Sequence, residues 1–271
     1  MNDSLTPFDE HIEKLGKYLS DLAKERQYRE INCPVGVAEL IEGLPVHVGP
    51  QDGTNIILKE DTAVELGNPS VASCAFVLWT PNSPLVKDGR ITLIGPDIQE
   101  AVGGSLPFAQ ALIVGGSELK EQHHLVLEQH YLISNRIEGY MVRLAPQHQR
   151  MWTRVSRKAV EQGFSFETLG RALMAIYKSE LPIIEAAEVI FLTSSKEDVR
   201  GLESIATEVQ RIKNDVLSSR FVRKDDGSYE CTTGYVDCRD CPDLVICDEI
   251  RGLVGLRRKS RATEPDHSSQ S

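Results

Sequence analysis

Four of the six cysteines are concentrated in one short stretch near the end of the chain. They are Cys231, Cys238, Cys241 and Cys247, with the spacing C-x6-C-x2-C-x5-C. A lone thiol is mostly protonated at neutral pH, but a bound metal deprotonates its cysteine ligands. Four thiolates so close along the backbone can satisfy either a tetrahedral Zn²⁺ or a [4Fe–4S] cluster. The spacing therefore predicts a metal centre.

The spacing of the four cysteines helps to distinguish a zinc site from an iron–sulfur cluster. Zinc sites usually contain two separate Cys-x-x-Cys pairs, whereas this stretch has one such pair, followed at once by Pro242. Compact cysteine runs with a proline beside a ligand are common among iron–sulfur proteins. The pattern favours a [4Fe–4S] cluster, and the alternatives are Zn²⁺ or four unpaired surface thiols.

A second set of candidate residues lies in the stretch RMWTRVSR, residues 150–157. Trp152 and Arg154 alternate along a predicted strand, which places them on the same face. An indole beside a guanidinium can stack on an adenine ring and hold a phosphate, and Arg150 and Arg157 are close in sequence. The alternative is a core tryptophan whose neighbouring arginines balance local acidic residues.

Helices and short strands must position these residues. Apolar spacing predicts long helices over about 7–28, 117–138, 165–181 and 194–220. Short apolar runs broken by Gly and Pro predict strands and tight turns from about 35 to 115, and further strands follow in GYMVRL, RMWTRVS and AEVIFLT. This mixture, with several hairpin signals, predicts an α+β fold with mixed or antiparallel sheets and packed helices, plus a small cysteine-rich C-terminal metal lobe.

Serine residues mark three of the predicted helix starts. Ser156 is placed to cap a short helix ending at Gly163, and Ser165 to cap the next one. Ser194 with Glu197 matches a capping box. The elements group into four predicted parts: an amphipathic helix in 1–30, an α+β domain over 31–222, a four-cysteine metal-binding lobe over 223–258 and a disordered tail over 259–271.

Composition narrows the class of protein. The 271 residues are 41% hydrophobic, which is enough for one large domain or a medium domain with an appendage. The formal charge of −10 argues against a nucleic acid or an anionic membrane surface as the main partner. No apolar run approaches the ~20 residues of a membrane helix, and the N-terminus lacks a secretory pattern. We therefore expect a cytoplasmic protein, in which thiols stay reduced.

Four stretches in the middle of the chain occur in an order found in a known family. They are DTAVELGNP (61–69), LIGPDIQEAVGGSLPFAQALIVGG (93–116), HYLISNRIEGYM (130–141) and MWTRVSRKAVEQGFSFETLGRAL (151–173). Each resembles a segment of the catalytic beta subunit of CO dehydrogenase/acetyl-CoA synthase. Together they cover the part of the chain, roughly residues 45–195, that resembles the middle domain of that family.

The resemblance implies chemistry that joins CO, a methyl group from a corrinoid protein, and coenzyme A. The middle domain of the family is associated with coenzyme A binding and with contacts between domains. Coenzyme A is therefore the ligand that the resemblance implies for Trp152, Arg154, Arg150 and Arg157. Oxygen-sensitive iron–sulfur biochemistry in the family likewise favours a [4Fe–4S] cluster at the four cysteines.

One departure from the family pattern limits what the chain is expected to do alone. The family holds nickel through a Cys-Gly-Cys tripeptide, and this sequence contains none. We expect an acetyl-CoA synthase-like iron–sulfur protein of anaerobic one-carbon metabolism that acts with a corrinoid protein or other complex subunits. If the chain is an enzyme, the reaction implied is that of a CO-methylating acetyl-CoA synthase. The alternative is a non-catalytic, zinc-binding accessory or docking protein.

Overall fold

Within the residues that the structure describes, the chain forms two larger β-sheets, a two-stranded hairpin and five α-helices. The computed structural model describes residues 7–50, 55–67, 71–119, 123, 127, 136–145, 150–219, 221–223 and 229–231. The chain divides between Asn214 and Asp215 into two compact units. In the described residues the fold is α+β, with mixed sheets and packed helices, as the sequence predicts.

Strands and helices occur in a mixed order along the described chain. The strands are β1 (Tyr28–Asn32), β2 (Thr62–Leu66), β3 (Ser73–Thr80), β4 (Arg90–Ile94), β5 (Ser105–Leu106), β6 (Phe108–Gly115), β7 (Tyr140–Ala145), β8 (Arg150–Ser156), β9 (Ala186–Leu192), β10 (Phe221–Arg223) and β11 (Tyr229–Cys231). The helices are α1 (Pro7–Leu22), α2 (Val37–Ile41), α3 (Arg157–Glu161), α4 (Phe166–Glu180) and α5 (Lys196–Ser219).

A five-stranded mixed sheet forms the centre of the first unit. Its order is β1-β4-β9-β6-β3, in which β4 pairs with β9 and β3 with β6 in parallel, while the other two pairs are antiparallel. Every residue of β3, β6 and β9 is buried, which explains why these strands read as continuous apolar runs rather than alternating ones.

A smaller, four-stranded sheet carries the second set of candidate residues. Its order is β5-β2-β8-β7, and β8 pairs antiparallel with both of its neighbours. One face is buried, with Val64, Leu66 and Val155 fully shielded from solvent. Because side chains alternate along a strand, the positions between these residues lie on the opposite face.

Helix α4 packs closely on the five-stranded sheet. The Phe166 ring lies 4.8 Å from the Phe191 ring and 5.8 Å from the Phe108 ring, measured between centroids. Gly170 allows this approach, because a Cβ there would lie 2.6 Å from the Ile91 side chain. Burial of these large rings supplies the apolar driving force for docking the helix.

Several sequence-based expectations are confirmed. The apolar runs around Cys74, Ile94 and Leu112 form β3, β4 and β6. Ser156 and Ser165 cap α3 and α4, since each hydroxyl accepts a backbone N–H three residues ahead at 3.2 Å. Local hydrogen bonding thus starts both helices where the sequence indicates.

Three local expectations are wrong. The first helix ends at Leu22, and residues 28–32 form a strand because β1 pairs along its full length with β4. Residues 37–41 form helix α2 rather than a strand. Arg171 donates hydrogen bonds to three backbone carbonyl oxygens near the C-terminal end of α2, which stabilises that helix end. Helix α5 is capped by Ser195, whose hydroxyl accepts the Asp198 N–H, and not by Ser194.

The remaining expectations fall largely outside the described residues. Most of the predicted helix over 117–138 and the whole of the predicted tail over 259–271 belong there. In the second unit, the described part consists of the end of α5 and the hairpin of β10 and β11. Among the helices that are described, none combines the length and the apolar character needed to cross a bilayer.

Candidate functional site

The outer face of the four-stranded sheet brings together an aromatic ring and charged groups. Trp152 and Arg154 occupy alternate positions of β8 and share this face, as the sequence predicts. Glu65 on β2 is the register partner of Arg154, and Met141 on β7 is its partner on the other side. The antiparallel register therefore places these four residues on one face.

Arg154 makes three contacts at this face. Its guanidinium carbon lies 4.9 Å from the centroid of the Trp152 ring, within the range of a cation–π interaction. Its Nε donates to Glu65 Oε1 at 3.3 Å, and its Nη1 donates to the backbone carbonyl of Ile57 at 3.2 Å. Both bonds are long compared with most hydrogen bonds from a charged donor, so they hold the guanidinium only loosely.

The solvent exposure of Arg154 and Glu65 affects how strongly the site can hold a charged ligand. The Arg154 side chain is 14% exposed and the Glu65 side chain 22%, while Trp152 is partly buried. A guanidinium has five N–H donors, and among the described residues Arg154 uses Nε and Nη1 for hydrogen bonds but not Nη2. The site is partly desolvated, and an anion in such a setting is held more strongly than in bulk water.

The two other arginines predicted for this site differ in how far the structure places them. Arg157 begins α3, just beyond β8, with an exposed side chain and a backbone N–H that donates to the Asp61 carbonyl at 2.8 Å. Arg150 begins β8, where its backbone is paired with Ala145. The binding role of all four residues remains a prediction.

The predicted metal ligands lie mostly beyond the described chain. Cys231 ends strand β11, where its backbone pairs with Phe221. Cys238, Cys241 and Cys247 fall outside the described residues. Within the described ranges, no group of three or more His, Cys, Asp or Glu residues could hold a metal ion. The metal centre therefore remains a prediction from spacing and thiolate chemistry.

The other two cysteines lie in the first unit. Cys74 is buried on β3, and burial, aided by the negative charge of Glu203, raises the pKa of its thiol. A core thiol of this kind stays protonated and inert. Cys33 is half-buried, and its pKa is also raised, mainly by burial.

A buried ion pair joins two neighbouring strands of the five-stranded sheet. Glu188 on β9 is 2% exposed and binds Arg90 on β4, with Oε2 lying 2.6 Å from Nη2 and 2.8 Å from Nε. Burial raises the pKa of Glu188, while the charge and hydrogen bonds of Arg90 oppose that rise. The cost of burying this carboxylate is thus only partly offset by its partner, as is common for ion pairs inside proteins.

Two parts of the outer-face site were missed at the level of sequence. Glu65 is a charged residue inside the apolar run TAVEL, and that exception was the available signal. The Ile57 carbonyl had none, because any residue carries a backbone carbonyl and only the tertiary structure places this one beside Arg154.

Comparison with known proteins shows which family and which relatives this chain is similar to. The family model described as CdhC, the CO dehydrogenase/acetyl-CoA synthase complex beta subunit, matches residues 44–199, which include the five-stranded sheet apart from β1 and the whole four-stranded sheet. The acetyl-CoA decarbonylase/synthase complex subunit beta of Methanothermobacter thermautotrophicus is 30% identical over 210 residues, which is 77% of this chain and 44% of that protein.

Two further relatives show the same pattern of coverage. The subunit beta 1 of Methanosarcina acetivorans is 30% identical over 231 residues, which is 82% of this chain and 48% of that protein. The subunit beta of Methanopyrus kandleri is 35% identical over 164 residues, which is 59% of this chain and 34% of that protein. The chain thus spans less than half the length of these relatives.

Proposed function

Since the chain belongs to the CO dehydrogenase/acetyl-CoA synthase complex beta subunit family, we propose that it works in anaerobic one-carbon and acetyl-CoA metabolism as a coenzyme A-binding, iron–sulfur-containing component. The observation that carries this proposal is the stacked Trp152–Arg154 pair on the outer face of the four-stranded sheet, within the matched part of the chain. Coenzyme A has an adenine ring and phosphates, and this pair presents an aromatic ring and a guanidinium.

The chemistry of the two side chains fits such a ligand. An indole ring stacks on a nucleobase with a gain of about 1–3 kcal/mol per base. A guanidinium binds phosphate through parallel N–H donors, which gives directional as well as electrostatic selectivity. Arg154 contacts Glu65 and the Ile57 carbonyl through long hydrogen bonds, so a ligand phosphate can replace these partners while the guanidinium stays beside the Trp152 ring.

Tryptophan fluorescence tests the proposed site directly. The Trp79→Phe variant retains Trp152 as its one indole, since the sequence has two tryptophans. We expect coenzyme A to quench the fluorescence of this variant, and Arg154→Gln to raise the Kd about tenfold or more, since a hydrogen bond to a charged group contributes roughly 1.5–3 kcal/mol. Arg171→Gln is the matched control, because the Arg171 side chain is similarly buried and also binds carbonyl oxygens.

The control defines how the result is interpreted. Arg171 lies against α2 rather than on the four-stranded sheet, so its replacement should leave the Kd for coenzyme A unchanged. The proposed site is refuted if millimolar coenzyme A leaves the fluorescence unaltered, or if both arginine variants weaken binding equally. Dephospho-coenzyme A separates the contribution of the 3′-phosphate from that of the adenine.

For the four clustered cysteines, we propose a [4Fe–4S] cluster held by Cys231, Cys238, Cys241 and Cys247. The donor set is chemically sufficient, because four thiolates complete the ligand shell of such a cluster. A cluster bound there would supply one-electron redox chemistry. The lack of a Cys-Gly-Cys tripeptide favours a requirement for a partner that holds nickel or a corrinoid. The proposed partners are a corrinoid protein or other subunits of such a complex.

A zinc-binding accessory or docking protein is the second candidate, and the missing Cys-Gly-Cys is the observation that favours it. Metal analysis of anaerobically purified protein separates the two. Brown protein with broad absorption near ~400 nm and close to four irons per chain supports the cluster. Colourless protein with one zinc supports the accessory role, and a metal-free protein that folds equally well with all four cysteines changed to serine refutes both.

Co-purification tests the proposed partnership. Tagged protein from an anaerobic host should retain corrinoid-containing subunits, and a matched preparation of the four-serine variant shows whether the metal lobe is needed for that contact. If neither preparation retains such a subunit while coenzyme A still binds, the partner proposal is wrong and the ligand proposal stands.

A further inference from the structure

A short segment outside the helices and strands, residues 55–58, contacts the outer face at the Trp152–Arg154 site; we call it the strap. The Ile57 N–H donates to the Met141 sulfur at 3.3 Å, and the Ile57 carbonyl accepts from Arg154 Nη1 at 3.2 Å. Met141 and Arg154 are register partners on β7 and β8. The middle of the strap therefore lies across both strands at the level of the candidate site.

The ends of the strap are held more firmly than its middle. At one end, Asn55 Nδ2 donates to two backbone carbonyls, of Ile137 and Tyr140, each at 2.7 Å. At the other end, the Leu58 carbonyl accepts from Thr62 Oγ1 at 2.8 Å. In the middle, the N–H has a thioether as its acceptor, which is a weak one, and the carbonyl has one long bond to Arg154.

The side chains of the strap show the same contrast. Ile57 is 5% exposed, so it is buried beneath the strap, while Ile56 is 64% exposed and Leu58 52% exposed. Lifting the middle of the strap would therefore expose one isoleucine, because its two neighbours are already in contact with solvent. Such a motion costs much less than opening a packed core element.

We propose that the strap gates the Trp152–Arg154 site. A ligand phosphate competes with the Ile57 carbonyl for Arg154 Nη1, and release of that carbonyl frees the middle of the strap to lift away from Met141 while both ends stay anchored. Arg154 is then available to hold the phosphate beside the Trp152 ring, over which its guanidinium lies. The inference rests on the proposed coenzyme A site and adds a moving part to it.

Gating of this kind has a thermodynamic signature. If the open strap is a minor state of the free protein, the apparent affinity for the ligand is reduced by the fraction that is open. A change that loosens the closed strap without touching the ligand should therefore tighten binding. Ile57→Ala removes the buried anchor, and Met141→Leu removes the sulfur acceptor at similar volume. Each is expected to lower the Kd for coenzyme A at least about threefold.

The matched control for these variants is Ile56→Ala. Ile56 precedes the anchor on the same strap, but its side chain is mostly in solvent. We expect this variant to bind coenzyme A with the affinity of the parent protein. All variants are made in the Trp79→Phe background, and circular dichroism at the assay temperature establishes that each one is folded.

Hydrogen–deuterium exchange tests the motion itself. In the free protein the Ile57 amide should exchange faster than the Thr62 amide, which donates to the Lys59 carbonyl at 3.2 Å. With saturating coenzyme A, exchange over 56–58 should increase by at least about threefold while the Thr62 amide is unaffected.

The outcomes separate the gate from the site. If coenzyme A quenches Trp152 fluorescence but leaves exchange over 56–58 unchanged or slower, and Ile57→Ala does not tighten binding, the gate is refuted and the site stands. If coenzyme A does not bind at all, the proposed site and the gate are both wrong.

Discussion

Removing the buried partner of Asp88 should destabilise the first unit strongly. Lys178 on α4 has a side chain that is 8% exposed, and its ammonium donates to both oxygens of Asp88, at 2.8 and 3.0 Å, and to the Val35 carbonyl at 2.9 Å. Asp88 also accepts the Ala187 N–H at 2.9 Å. One ion pair thus connects α4, the turn before β4, the segment before α2 and the start of β9.

The expected magnitude follows from this geometry. Breaking a fully buried pair by removing one partner costs about 3–5 kcal/mol. Asp88 is 26% exposed and keeps some water, so we place Lys178→Met near the lower end, at about 3 kcal/mol. For a protein of this size, that loss corresponds to a decrease in Tm of about 6–12 °C.

Urea unfolding followed by circular dichroism measures the free energy, and the double variant Lys178→Met/Asp88→Asn tests coupling. The double variant should be less damaging than the sum of the two single changes, because each single change leaves the other group unpaired. The matched control is Lys158→Met, which breaks an exposed pair with Glu138 and should cost less than about 1 kcal/mol. The reasoning is refuted if Lys178→Met costs no more than this control.

Three further predictions concern stability. Ser195→Ala should cost about 1 kcal/mol in urea unfolding by removing the cap of α5. Burial tends to raise the pKa of Asp198, but its hydrogen bonds, foremost those from Arg26, lower that pKa overall, so the stabilisation from Asp198 is complete above the unfolded pKa of 3.8 and is lost as pH falls through the folded pKa. The difference in unfolding free energy between the parent protein and Arg26→Gln should therefore become smaller below about pH 4 in acid titrations. A difference that stays constant with pH would contradict this. Gly116→Ala should lower Tm by several degrees, because a Cβ there would lie 2.2 Å from the Ile183 carbonyl oxygen, and an unchanged Tm would show that the backbone shifts freely.

Local signals in the sequence were reliable where the cause of the structure is local. Ser156 and Ser165 start helices because their own hydroxyls accept N–H groups three residues ahead. Trp152 and Arg154 share a face because alternation is a property of any strand. The matched family was also recognisable from short stretches along the chain, and the family model covers the same region.

Local signals failed where distant contacts decide the conformation. Residues 28–32 follow a helix in sequence without a strong break, yet they form β1 because β4 offers a full set of backbone partners. Residues 37–41 resemble a strand by composition, yet Leu40 is buried and Arg171 binds the carbonyls at the end of this short helix. In both cases tertiary contacts outweigh local propensity.

The sequence by itself therefore determined the fold class, the family and the common face of Trp152 and Arg154, and it predicts a four-cysteine metal lobe that lies mostly beyond the described residues. Only the tertiary structure decided the strand order, the pairing of Arg154 with Glu65 and the placement of Ile57 against Met141 and Arg154. The physical reason is that the register of each sheet is selected by burial of the whole core. Partners 89 and 97 residues apart meet because of that register and not because of any signal at either position.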